Sequence, residues 1–214
     1  MAQIINPENK YWYTKSDRNW STARDAAESD SITAGDGTDE RVMLVDVGGG
    51  NYFFSRTYLI FDITTVTTPV NNAKLYVRAN TSVKFSPTIY AAYGGNKPIG
   101  ITSNYSLYLD NLSKTGDPLS TIPILSRGEW YSGLLDINVY PIDPVDSLYV
   151  IGLVTEPDFT NAVDGTENGI VGISAYLSIN ETAGYPNAVM GVAGANISTV
   201  SGVPSANIAN IMGV

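Results

Sequence analysis

Two acidic turns are the first places in this chain where residue type and spacing could support chemistry. They are Gly35-Asp36-Gly37-Thr38-Asp39-Glu40 and Asp164-Gly165-Thr166-Glu167-Asn168-Gly169. Carboxylates alternating with small residues can wrap a hard cation in oxygen ligands, so Asp36, Asp39, Asp164 and Glu167 are the candidate ligands for a structural Ca²⁺. Neither turn has the Asp-x-Asp-x-Asp-Gly spacing of a dedicated calcium loop, and a solvated Asx turn between strands explains the same residues. No other cofactor is implied.

The chain has no histidine and no cysteine. That removes the commonest general base, the commonest transition-metal ligand and all thiolate or disulfide chemistry. A hydrolase would need two carboxylates with well-separated pKa values. With 21 Asp and Glu, acidic pairs arise by chance, and no motif singles one out. The expectation is a binding protein and not an enzyme. Arg56 and Asp62, on one face of a strand, read as a surface ion-pair network with neighbours such as Arg78.

Fourteen tyrosines and three tryptophans give a different chemistry. Exposed rings stack on sugars or anchor interfaces, and buried rings build cores. The densest clusters are Tyr11-Trp12-Tyr13 and Glu129-Trp130-Tyr131. Tyr11, Trp12, Tyr13, Trp130 and Tyr131 are therefore the candidate sugar or interface aromatics. In an extended chain the central ring of a trio faces away from the outer two, so at least one ring of each is expected in a core.

The elements that must position these residues are strands. Of the 214 residues 43% are hydrophobic, enough for one substantial domain with a real core. Short β-branched and aromatic runs separated by Gly, Pro, Asn and Asp predict an antiparallel β-sandwich. The predicted strands are 41–47, 56–63, 73–79, 88–93, 134–140, 147–154 and 170–179, with a short one at 121–125. Leu59, Phe61 and Ile63 form a core face, opposite Arg56, Tyr58 and Asp62 on a half-exposed one. Val171, Ile173, Ala175, Leu177 and Ile179 form another core face. The run 147–154 is apolar on both faces and predicts a central strand covered on each side. Gly48-Gly49-Gly50-Asn51 predicts a hairpin turn. The stretch 94–133 reads mostly as loop, and 17–29 as one helical turn or an irregular strand, with strand favoured because Trp20, Thr22 and Arg24 alternate with small residues.

Net charge is −9 with only 12 Lys and Arg, a field that repels polyanions and argues against direct nucleic-acid binding. No apolar run is long enough to span a bilayer, and the N-terminus lacks a signal-peptide pattern. Synthesis in cytoplasm is the expectation.

Residues 189–214 repeat every eleven residues, with Gly-Val three times and Ala-Asn-Ile twice in that register. A glycine in each unit and Pro204 disfavour a continuous helix. Short extended pieces follow, with too few large side chains to make a core of their own. The repeat Gly-Val-x-x-Ala-Asn-Ile resembles the C-terminal segments of tailed-bacteriophage structural proteins. Ser55-Arg56-Thr57-Tyr58-Leu59-Ile60-Phe61-Asp62-Ile63, followed by Asn72-Ala73-Lys74-Leu75-Tyr76-Val77, resembles the core of DNRLRE-type jelly-roll modules. Trp20-x-x-x-Arg24, Leu135-Asp136-Ile137-Asn138 and Ile173-Ser174-Ala175-Tyr176 fit the phage members of that group.

These resemblances imply a jelly-roll-type antiparallel β-sandwich over residues 17–188, an N-terminal arm over 1–16 and an extended repeat tail over 189–214. They imply a structural component of a phage particle, made in host cytoplasm and carried in the virion as capsid decoration, head fibre, baseplate or tail-tip module. Its partners would be other virion proteins and further copies of itself. Val189, Val192, Ile197, Val200, Val203, Ile208, Ile211 and Val214 are the expected tail-docking residues. The alternative is a carbohydrate-binding module that holds a host surface glycan.

Overall fold

The structure is a computed structural model that describes residues 2–35, 38–46, 51–85, 87–96, 105, 117–143, 145–162, 168–181, 199–200 and 203–204. They form an antiparallel β-sandwich of jelly-roll type. Its strands are β1 (Gln3–Ile5), β2 (Pro7–Asp17), β3 (Ser31–Ala34), β4 (Arg41–Asp46), β5 (Tyr52–Asp62), β6 (Ala73–Lys84), β7 (Thr88–Gly95), β8 (Ser120–Pro123), β9 (Tyr131–Leu134), β10 (Leu148–Thr155) and β11 (Asn168–Ile179). One layer runs β8-β7-β10-β5-β2-β3 and the other β9-β6-β11-β1. β4 joins them, bonded on one edge to β5 and on the other to β11.

The main core lies between the layers. Leu59, Phe61 and Ile63 enter it from the β5 side, Tyr149, Ile151 and Leu153 from β10, and Leu75 and Val77 from β6. β10 is held between β5 and β7 and is buried from Tyr149 onward, as its two apolar faces require. β4 and β5 form the expected antiparallel pair, in register Asp46↔Tyr52, around a connection that lies largely outside the described residues.

Along β11 the expected core face holds from Ile173 to Ile179 and then changes. The ladder to β6 shifts register between Val171 and Ile173, where Gly172 sits at φ +69°. This bulge turns Ile170 into the core in place of Val171.

The free edges of the layers, β8 and β9, come together at Gly133. A Cβ there would strike Ser120 Oγ and lie 2.9 Å from Ile122 Cγ1. Only glycine lets the two edges approach so closely.

Several expectations need correction. The expected arm over 1–16 is sheet from Gln3 onward: β1 pairs with β11, and β2 pairs with β5 over nearly all its length. Residues 20–24 are a short helix, α1 (Trp20–Arg24), whose N-cap Asn19 accepts a hydrogen bond from Thr22 N. Its buried residues are Trp20, Ala23 and Arg24, the spacing of one helical face. Leu134–Tyr140 is not a strand, because β9 ends at Leu134 and the chain then turns. A second helix, α2 (Glu156–Thr160), follows β10, with Pro157 in its first turn.

The face of β5 opposite the main core is not half-exposed. It carries Phe54, Tyr58 and Ile60 in a second buried cluster with Tyr13, Trp20, Ala23, Leu44, Tyr105 and Val150.

Candidate functional site

Each layer has an outer face, and sequence chemistry puts an arginine in each. On β5 that arginine is Arg56, with no exposed surface. Its Nε and Nη2 donate to the two carboxylate oxygens of Asp158 at 2.7 Å each, a bidentate pair. Nη2 also donates to Arg24 O (2.6 Å) and Nη1 to Tyr105 O (3.1 Å). The guanidinium carbon lies 3.9 Å from the Tyr105 ring centroid. Asp158 comes from α2, and Arg24 from α1 donates through Nε to its backbone oxygen (2.6 Å). Trp20 Nε1 donates to Asn161 Oδ1 at the end of α2 (2.9 Å).

The result fastens α1, α2 and Tyr105 over the outer face of β5. Arg56 and Asp62 therefore do not form a surface network. Asp62 instead accepts from Thr64 N and Oγ1, and these bonds hold its carboxyl below the usual range.

The outer face of β9-β6-β11 is different. Register places Tyr76 beside Tyr176 and Arg78 beside Ser174, with Trp130 just ahead of β9. Tyr76 and Tyr176 stack at 4.5 Å with 10° between their planes. Trp130 meets Tyr176 edge to face at 4.9 Å and remains 41% exposed. The Arg78 guanidinium carbon lies 4.8 Å from the Trp130 ring centroid. Arg78 Nε donates to Asn80 Oδ1, and Asn80 Nδ2 to Ser174 Oγ, each at 2.9 Å.

At one border, Tyr76 OH donates to Glu181 Oε1 (2.9 Å) and Lys74 pairs with Glu181 Oε2 (3.0 Å). Burial and the adjoining Glu181 carboxylate push the Tyr76 phenol up to about 12. Burial opposes ionisation of Glu181, but bonds from Ser178, Lys74 and Tyr76 outweigh it and leave the carboxyl below its ordinary range.

Beside Trp130 the face opens into a shallow depression of about 330 Å³, lined by Asn6, Pro7, Lys10, Ser174, Ala175 and Tyr176. It lies where the edge of β11 between the β4 and β1 ladders has no strand beside it among the described residues. Lys10 fills part of that gap, donating to Ile173 O (3.0 Å) and pairing with the buried Glu40 (2.9 Å).

The first aromatic trio divides as alternation predicts. Tyr13 is fully buried against Tyr58 (5.4 Å, edge to face) and Tyr11 packs on the same cluster. Trp12 points the other way, with the Arg41 guanidinium carbon 5.3 Å from its ring centroid. Of the second trio, Tyr131 packs against the main core and bonds Ser126 Oγ, leaving Trp130 outside.

Asp39 is exposed, whereas Asp36, Asp164 and Glu167 lie outside the described residues. Among the described residues no group of three or more Asp and Glu could hold a metal ion. In the tail, Thr199–Val200 pairs antiparallel with Val203–Pro204. Val189, Val192, Ile197, Ile208, Ile211 and Val214 lie outside the described residues.

Sequence reasoning missed Tyr76, Arg78 and Tyr176 as a group, and Asp158 altogether. The run Thr155-Glu156-Pro157-Asp158 did carry a signal, since a threonine followed by acids and a proline marks a helix start. The grouping around Trp130 depends on strand register and has no local signal.

No protein-family model matches the chain, and no curated protein matches it in sequence. Among solved structures it is similar to a β-1,3-glucan-binding CBM6 module from Bacillus halodurans. The identity is 11% and the TM-score 0.31, over 67% of this chain and 88% of that one.

Proposed function

We propose that this chain is a non-catalytic structural module of a bacteriophage particle, acting by subunit assembly and surface display. The observation that carries the reading is the division between tail and sandwich. The main described core is built from residues between Ile5 and Ile179. The Gly-Val-x-x-Ala-Asn-Ile units that resemble phage C-terminal segments begin only at residue 189. Such units offer apolar side chains and backbone hydrogen-bonding groups that need a surface to lie against. Buried carboxylates are committed to structure, Asp158 to Arg56 and Glu40 to Lys10, which favours assembly over catalysis.

Deleting residues 189–214 is expected to leave a sandwich that unfolds cooperatively at nearly the parental temperature but no longer enters its particle or oligomer. A truncated chain that cannot fold as a monomer would overturn the proposal. Electron microscopy of particles labelled against the sandwich distinguishes a capsid from a tail position.

The open face supports a second reading, contact with a glycan. Trp130, Tyr176 and Tyr76 present rings beside hydrogen-bonding groups on a face that no described element covers, the composition by which sandwiches hold sugars. A glycan array separates the two readings, since an assembly-only module gives no saccharide-specific signal.

A further inference from the structure

We infer that the depression beside Trp130 holds an oligosaccharide that bears an isolated carboxylate, with Arg78 as the residue that reads the acid. This rests on the glycan-contact reading and adds the ligand's charge. A 41% exposed Trp130, held at an angle by Tyr176, offers a rigid apolar surface to the C–H face of a pyranose ring. A depression of about 330 Å³ is at the small end of ligand sites and suits one or two sugar units. Asn6 and Ser174 stand at its wall as partners for hydroxyls.

The charge argument is specific to this chain. Its cations are few, and most near the face are engaged. Lys10 is paired with Glu40, and Lys74 with Glu181. Arg78 makes no ion pair among the described residues. Its Nε is fixed by Asn80, which orients the planar guanidinium, and the fork of its two terminal nitrogens matches a carboxylate. Arg78 does not line the depression but stands 4.8 Å from the ring centroid of Trp130, which does, and an arginine so placed selects a ligand that is apolar on one side and anionic at one point.

Net charge limits how acidic that ligand can be. A uniformly charged polysaccharide would be repelled by a −9 chain. A single carboxylate in contact with Arg78 is not, because charges farther than about 8 Å away are screened at physiological ionic strength.

The test uses the full-length protein and matched oligosaccharide pairs that differ only in a terminal glucose or a terminal glucuronic acid. They are presented on an array and then titrated by calorimetry. The parent is expected to bind the glucuronic member of at least one pair about tenfold more tightly than its neutral partner. Arg78→Met should remove that preference, and Trp130→Ala should remove binding to both members, with both variants keeping the parental melting temperature. If Trp130→Ala lowers the melting temperature, Trp130→Phe, which keeps a ring, should restore folding and part of the binding.

Equal binding of both members, unchanged by Arg78→Met, overturns the inference and leaves the glycan reading standing. Binding that survives Trp130→Ala in a folded protein places the site elsewhere and also overturns it. No binding to either member of any pair overturns both, and loss of self-association in Trp130→Ala would then identify the face as a subunit contact.

Discussion

The two outer faces of the sandwich use the same ingredients to opposite ends. Each sets an arginine over an aromatic ring, Arg56 on Tyr105 and Arg78 on Trp130. Arg56 is buried, hydrogen-bonded through all three guanidinium nitrogens and matched by a carboxylate, and two short helices close over it. Arg78 lies on a face that no described element covers. A buried charge is tolerable only when paired, so Arg56 demands Asp158 and everything that brings Asp158 into place. A half-buried arginine that water still reaches makes no such demand. Burial, more than residue type, separates the two arginines.

The largest expected effect falls on the core that both layers share. Phe61→Ala should destabilise the protein by about 3–5 kcal/mol in urea unfolding, as lost burial and a cavity add. A loss below about 1 kcal/mol would mean that β5 presents its faces the other way round.

Next is the seam where β8 meets β9. Gly133→Ala should cost about 1–3 kcal/mol, because the new methyl group must displace Ser120 and Ile122. Melting unchanged within error would show that the edges do not approach as described.

The smallest effect belongs to the open face. Glu181 has a folded pKa below its ordinary 4.5, so its contribution is fully present above that value and is lost as pH falls through the folded pKa. Being a partly exposed pair with Lys74, it should add no more than about 1 kcal/mol. Glu181→Gln should flatten that part of the stability–pH curve below about pH 4.5 and lower neutral-pH stability by no more than about 1 kcal/mol, with little change at acid pH.

Much of the fold was legible because burial repeats with the period of a strand. Leu59, Phe61 and Ile63 recur at every second position, and the doubly apolar run through Val150 and Ile151 announces a central strand. Arg56 defeated the same logic. A charged residue in alternation reads as solvent-facing, and the carboxylate that buries it is 102 residues away. α1 was read as a strand because Trp20, Thr22 and Arg24 alternate. The Asn19 cap and the helical spacing of Trp20, Ala23 and Arg24 prevailed instead. Of the open face, sequence singled out Trp130. Its neighbours Tyr176 and Arg78 reach it only through the β6–β11 and β6–β9 registers, which local patterns do not specify.

The claim that one arginine is structural and the other held in reserve is tested most directly by measuring the unfolding free energies of Arg56→Met and Arg78→Met side by side. Removing Arg56 takes the bidentate partner from a buried Asp158, whose carboxylate keeps Arg24 Nε at 3.7 Å, and should cost about 3–5 kcal/mol. Removing Arg78 should cost no more than about 1 kcal/mol, the range of an exposed cation–π contact. Equal losses in the two variants, or a larger loss at Arg78, would contradict the account.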